Sequence, residues 1–302
     1  MRVGIRSLLF VALMTLAACG PQLGSLQRGE TGRAVRVING DTLQLDSGLR
    51  VFLAEIDAPR RDEPYASQAY GELEALALHR NVLLAYGGTR RWVRRARDGQ
   101  TQPTTPSGAT QADQADTAAI AQVFVQSEGG RWFWLQNALV ARGAATVRPR
   151  FDNHARTAEL LNTEAQARAA ARGLWAQPAY QPLAVRAAVE FALRGAQPCT
   201  RGDAPYRVIQ GSVHDAQVLD HRAALTMDGA AADKPFSIVL FGDALAHWDG
   251  PPLASFSGAR VRVRGTLGVF HDQAQICLDD SRQLEVLRGA AAQAPAQPQS
   301  PT

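Results

Sequence analysis

The stretch from Val37 to Arg60 reads VINGDTLQLDSGLRVFLAEIDAPR and places two carboxylates, Asp41 and Asp57, at the ends of what read as adjoining strands. Carboxylates brought together from neighbouring strands form a hard oxygen site suited to Ca²⁺. A metal held there can polarise a phosphoryl oxygen and help generate a nucleophilic hydroxide. The same letters also have a purely conformational reading. Asn39-Gly40-Asp41 suits a hairpin turn, and Asp57-Ala58-Pro59 suits the end of a strand. On spacing alone the turn reading is the stronger.

Other residues with chemical potential are fewer. Arg90, Arg91, Arg94 and Arg95, with Arg97 just beyond, form a basic run that could reach a bound phosphate or simply lie solvated at the surface. Arg260, Arg262 and Arg264 alternate with Val261 and Val263, so they share one face of a strand. Such a face could track a nucleic-acid backbone, and equally it is what any half-exposed strand presents. Trp132 and Trp134 alternate in the same way and read as packing residues. His154, His214 and His271 show no ligand spacing with cysteine or carboxylate. No Ser/His/Asp constellation and no phosphate-cradling glycine loop is present.

The elements that would position these residues follow from periodicity. Residues 31 to 92 alternate apolar and polar positions through AVRVIN, DTLQLD and LRVFLAEI, as half-buried antiparallel strands do, then switch to helical spacing between Ser67 and Arg80 before NVLLAY returns to strand. DGQTQPTTPSGATQADQADT lacks periodicity and large apolar side chains, so a disordered insertion is expected over about residues 97–117. Strands resume at IAQVFVQ and RWFWL around the turn EGG. LQNALVARG begins a helix that Gly143 can end, and a longer helix runs from about Ala155 to Arg172, closed by Gly173-Leu174-Trp175.

A proline-bearing stretch, 178–205, reads as a linker. Residues 206–288 then form a second strand-rich block, spaced like a small barrel with one short helix near Asp243 to His247. The tail, 289–302, is rich in Ala, Pro and Gln and reads as disordered.

The beginning of the chain has its own logic. Arg2 and Arg6 precede a short apolar run from Leu8 to Ala18, the pattern of a signal peptide over residues 1–18. Its ending, Leu16-Ala17-Ala18-Cys19, resembles a bacterial lipobox, which implies cleavage before Cys19, lipidation of its thiol and a tether over 19–30. Gly20 rather than Asp follows the cysteine, which by the same resemblance implies the outer membrane, on its periplasmic side. Acyl chains contribute about 0.8 kcal/mol per buried CH₂ and so give a stable anchor. With Arg2 and Arg6 removed, the formal charge of +4 falls to +2, too small to argue for a polyanionic partner. The remaining cysteines, Cys199 and Cys277, would pair in an oxidising envelope compartment.

Five ordered blocks, NGDTLQL, RVFLAEIDAP, QAYGELEA, LQNALVARGAATV and EAQARAAARGLW, resemble the staphylococcal nuclease-like (thermonuclease) family over residues 31–177. The resemblance implies a five-stranded OB barrel with flanking helices and Ca²⁺-dependent cleavage of phosphodiester bonds in DNA and RNA. It places the two metal aspartates on Asp41 and Asp57, and a third ligand on the backbone carbonyl of Ala58. The other functional positions are substituted. Phe52 stands where the first phosphate-binding arginine belongs, Arg60 stands at the glutamate, and Ala118 at the second arginine. Arg50, two residues from Phe52 on the same face, is displaced by about 6.6 to 6.8 Å, so it is an imperfect stand-in. Removing one preorganised contact of this kind commonly costs about 10² to 10³ in rate.

The expected fold is therefore mainly β with flanking helices: a nuclease-like OB barrel followed by a second small OB-type barrel. The expected function is that of a lipid-anchored envelope protein whose nuclease-like site has decayed into a nucleic-acid or protein-binding module. Two other readings stay open. One is an active Ca²⁺-dependent endonuclease that uses substitute arginines; the other is a purely structural envelope component.

Overall fold

The computed structural model describes residues 20–95, 101–103, 117–195, 197–201, 204–229 and 235–287. The expected signal peptide, Cys19 and the C-terminal tail, 289–302, lie outside the described residues. Among the described helices none is long and apolar enough to cross a membrane.

The strands β1 (Gln27–Asn39), β2 (Thr42–Leu45), β3 (Arg50–Leu53), β5 (Asn81–Tyr86) and β8 (Thr117–Gln126) close into a barrel. Its order is β3-β2-β1-β5-β8, and a parallel pairing of β3 with β8 completes the ring. Alternation dictates which side chains fill it. In β3, Val51 and Leu53 point inward and are buried, while Arg50 and Phe52 lie on the outer face, half-buried. Helix α1 (Ala66–Ala77) buries Ala69, Leu73 and Ala77, spaced four apart, against this barrel.

Gly40 sits in the β1–β2 turn, where Asn39 pairs with Thr42. A Cβ on Gly40 would come 2.7 Å from the Cβ of Ala58 and 3.1 Å from that of Ala69. The glycine is therefore required by close approach, and this approach brings the Asp41 turn against the Asp57-Ala58 segment.

The short strand β4 (Ile56–Asp57) follows, and it pairs with β10 (Thr146–Val147) in a separate two-stranded ribbon. Between them in sequence, β6 (Trp92–Arg95) pairs with β7 (Thr101–Pro103) and with β8, and β9 (Trp132–Trp134) pairs with β8. The stretch expected to be disordered, 97–117, is thus part strand: Thr101–Pro103 pairs with β6, and Thr117 opens β8. The rest of that stretch lies outside the described residues.

Helix α2 (Leu135–Arg142) ends on Gly143 at φ 68°, and α3 (Thr157–Ala169) is followed by Gly173 at φ 56°. These two glycines pack back to back. A Cβ on Gly143 would lie 2.1 Å from the Arg172 carbonyl oxygen, and one on Gly173 would lie 2.3 Å from that of Gly143. No other residue fits both the left-handed backbone and the contact.

The region expected to be a linker, 178–205, is instead structured. It holds β11 (Leu183–Ala184) and α4 (Val185–Gly195), whose Val185, Ala188, Val189 and Ala192 are buried in the second core. Its prolines lie outside this helix, and the apolar residues inside it recur at helical spacing, so the prolines alone suggested a linker.

The second barrel uses β12 (Tyr206–Leu219), β13 (Arg222–Met227), β14 (Phe236–Phe241), β15 (Arg260–Phe270) and β16 (Gln273–Cys277). The order is β12-β13-β14-β16-β15, closed by β12 with β15, and β14 runs parallel to β16. Strand β17 (Leu284–Val286) extends the sheet beside β15, and the short α5 (Gly242–Ala246) follows β14. Cys199 and Cys277 are joined in a disulfide with Cα atoms 5.8 Å apart.

The barrels share a buried seam. Trp175, Leu174 and Tyr180 pack with Val208 of the second barrel. Beside them Arg264 donates to both carboxylate oxygens of Glu164, each at 2.7 Å, with both side chains sealed from solvent. Glu164 also accepts from the Val147 N–H and from Arg168, each at 2.8 Å.

Candidate functional site

An open cleft of about 350 Å³ is lined by Asp41, Phe52, Glu55, Asp57, Arg60, Arg90, Arg148, Arg150, Asp152 and apolar neighbours. Asp41 arrives on the β1–β2 turn and Asp57 at the end of β4, so the two aspartates read from the sequence do meet. Asp41 is held in place by its own surroundings. Its Oδ1 accepts the Thr42 hydroxyl at 2.9 Å, and its Oδ2 accepts the Ala58 N–H at 3.3 Å. Burial, reinforced by the negative charge of Asp57, pushes the Asp41 carboxyl up to about 6.

Asp57 faces a cation supplied by the chain itself. Arg148 Nη1 donates to Asp57 Oδ1 at 3.0 Å, with the two side chains 20% and 24% exposed. Burial opposes the charge on Arg148, but Asp57, Asp279 and Tyr206 outweigh it, and the guanidinium is held above its ordinary range. Sequence reasoning missed Arg148. The signal lay in the alternation of Arg148 and Arg150 after the β10 strand, ATVRPR, which puts the two on one face.

Glu55 was also unforeseen. It sits at φ 67° in the turn between β3 and β4, a conformation uncommon outside glycine. Its carboxylate is buried and accepts from the Thr157 hydroxyl at 2.6 Å, the Gln122 amide at 2.8 Å and the Arg156 N–H at 3.1 Å. Those bonds tie the turn to β8 and to the start of α3, and burial raises the Glu55 carboxyl above its ordinary value. The residue anchors the rim of the cleft.

The remaining sequence candidates divide. Phe52 lines the cleft and offers an apolar wall where a phosphate-binding cation was expected. Arg60 also lines it. Ala118 is buried in β8 opposite Arg50 and Val93, with no side chain to offer. Arg50 is not among the lining residues. Within the basic run, Arg90 reaches the cleft, where its Nε lies 2.6 Å from Asp152. Arg91 turns instead onto the ring of Tyr86, 5.5 Å from its centroid. Arg94 and Arg95 lie on β6, and their side chains are outside the described residues.

The arginine strand of the second barrel does not form an open basic face. Arg260 is exposed, whereas Arg262 pairs with Glu285 at 3.2 Å and Arg264 is spent on Glu164 and Glu285. Trp134 donates its indole N–H to Gln122 and carries Arg156 over its ring at 4.6 Å, a packing role as expected. His154 bonds to Asp280 of the second barrel, and this contact raises its pKa.

Calcium was implied by the resemblance and takes about 6 to 8 oxygen ligands. The donor set here does not fit it. Both oxygens of Asp41 and one of Asp57 already accept hydrogen bonds, and a guanidinium stands in contact with Asp57. Among the described residues no group of three or more His, Cys, Asp or Glu could hold a metal ion. Ala58, whose backbone carbonyl the resemblance made a third ligand, is not among the residues that line the cleft.

Comparison with known proteins agrees with this geometry in outline. Residues 50–177 match the family model described as staphylococcal nuclease homologue. The match begins at β3, so Asp57, Ala58 and Arg60 fall inside it and Asp41 falls before it. Protein ParB of Escherichia coli is 26% identical over 170 residues, which cover 55% of this chain and 82% of ParB. The first barrel from β3 onward, with its flanking helices, is similar to the staphylococcal nuclease homologues.

Proposed function

We propose that the first barrel binds nucleic acid without cleaving it efficiently, and that it does so as part of a lipid-anchored envelope protein. The observation that carries this reading is the make-up of the cleft. Asp41 and Asp57 line it with Phe52 and Arg60, which by the resemblance stand where groups that hold phosphate and activate water would be, and Arg148 pairs with Asp57. The cleft carries as many arginines as carboxylates, so what it presents to a phosphate backbone is guanidinium hydrogen bonds rather than net positive charge, while no lining side chain other than a paired carboxylate is available to deprotonate water. Localisation rests on the lipobox-like Leu16-Ala17-Ala18-Cys19 alone, and the outer membrane on Gly20.

The test is a pair of measurements on the purified full chain with a fluorescent single-stranded DNA. Binding is expected at low salt and should weaken steeply as salt rises, since phosphate contacts release counterions. Cleavage with Ca²⁺ should not exceed that with chelator. Ca²⁺-dependent turnover that vanishes in Asp41→Ala would overturn the proposal.

A second reading, an active phosphodiesterase with substitute cations, draws support from Arg90, Arg148 and Arg150 on the cleft wall. It requires that Arg148→Ala lower turnover more than it lowers DNA binding. No support for Arg50 as the substitute comes from its position outside the cleft.

A further inference from the structure

We propose that Arg148 is a built-in counter-cation. It supplies to the Asp41 and Asp57 pair the positive charge that a divalent metal would otherwise bring, and the second barrel holds it there. The cleft is in consequence closed to Ca²⁺ in the folded protein.

Charge balance motivates the idea. The lining carboxylates Asp41, Glu55, Asp57 and Asp152 are matched in number by Arg60, Arg90, Arg148 and Arg150. The cleft is thus neutral without a metal, and a divalent ion would leave it with an excess of two positive charges in a partly desolvated space. At contact distance from Arg148 such an ion is repelled by several kcal/mol even at an effective dielectric of about 20.

Position supports it from both sides. The backbone of Arg148 is fixed to the first barrel: Thr146 and Val147 pair with Asp57 and Ile56, and the Arg148 N–H donates to the Glu55 carbonyl at 2.8 Å. The guanidinium is fixed by the second barrel, where it lies over the ring of Tyr206, 5.0 Å from the centroid. Tyr206 is itself buried. Its hydroxyl donates to the Val147 carbonyl at 3.1 Å and accepts from Gln283 at 3.2 Å. The next residues are caught too, with the Phe151 N–H on the Asp279 carbonyl at 3.0 Å and Arg150 within 3.5 Å of the Asp279 carboxylate. An aromatic ring beneath and a carboxylate in front leave the arginine little freedom to swing aside for a metal.

The proposal predicts a gain of function on mutation, which a merely structural arginine would not give. Calorimetric titration of CaCl₂ into the purified full chain should show no binding at about 1 mM, a concentration at which extracellular calcium modules are occupied. Arg148→Met and Arg148→Ala should both bind Ca²⁺, about tenfold or more tighter than the unaltered chain. Adding Asp57→Asn should abolish the gained site, and Arg148→Lys, which keeps the charge, should gain none. Tyr206→Leu, which removes the shelf but keeps the arginine, should show a smaller gain. Stoichiometric binding by the unaltered chain that is lost in Asp57→Asn overturns the proposal. So does an absence of Ca²⁺ binding in folded Arg148→Met. If neither Arg148 variant folds, an absence of gain in Tyr206→Leu overturns it. DNA binding plays no part in these readouts, so their failure and that of the functional reading are separable.

Discussion

In the first barrel β3 runs parallel to β8 and leads, through the strained Glu55 turn, into a ribbon that carries Asp57 and Arg148 to an open cleft. In the second, β14 runs parallel to β16 and leads into the short helix α5, and a disulfide ties the segment before β12 to the end of β16. Both barrels follow one strand path, and in each the third strand of the ring pairs in parallel with the fifth, β3 with β8 and β14 with β16. What separates them is the segment after the third strand. A turn stabilised by buried polar contacts makes a site, and a helix makes a cap. One architecture thus carries a candidate site in one copy and a docking and bracing role in the other, as expected when function resides in particular residues rather than in the fold.

The largest expected effect is at the seam between the two. Glu164→Ala removes the carboxylate that Arg264 grips with Nη1 and leaves the sealed guanidinium with Glu285 as its remaining carboxylate partner, a loss of up to about 3 to 5 kcal/mol. Chemical denaturation should show the lowered midpoint, and a change of less than about 1 kcal/mol would mean that the seam contributes little.

A smaller effect should fall on the second barrel alone. Cys199→Ser opens a covalent loop with a sequence separation of 78 residues. The cost should be about 2 to 4 kcal/mol, largely through a less constrained unfolded chain. Proteolysis of the variant should begin in the second barrel; first cuts in the barrel that holds the cleft would break the comparison.

The smallest effect concerns pH and the first barrel. Asp41 has a folded pKa of about 6, above its ordinary value of 3.8. The folded state therefore holds this proton more tightly than the unfolded chain, and Asp41 contributes stability that is lost as pH rises from about 4 through 6. The whole of that loss amounts to about 3 kcal/mol at most. Glu55 acts in the same direction. The raised His154 adds a further loss at higher pH, once pH passes its unfolded value of 6.5. Asp41→Asn should flatten the stability profile between pH 4 and 6 and leave the His154 portion intact. An unchanged profile would show that ionised Asp41 is not a burden to the fold.

Much of the fold was legible in the sequence because alternation and punctuation are local. The second block, 206–288, read as strand-rich from its period of two, and strands from Tyr206 to Val286 fill it. Gly143 and Gly173 marked the ends of α2 and α3 because a left-handed backbone has few other occupants. The linker reading failed for an equally local reason. Prolines flank α4, and the amphipathic face between them acquires its meaning only from the core that it fills.

The site was half legible. The sequence by itself placed Asp41 and Asp57 at the ends of adjoining strands, set Phe52, Arg60 and Ala118 against the nuclease pattern through the resemblance, and put a cysteine pair on hand. It did so because side-chain type and strand period are written residue by residue. Only the tertiary structure decided that Arg148, 91 positions away from Asp57, would lie against it. It alone turned Arg262 and Arg264 of β15 toward Glu285 and Glu164 rather than toward solvent. The physical reason is that ion pairing depends on distance and desolvation between segments far apart in the chain, and no local pattern carries either quantity.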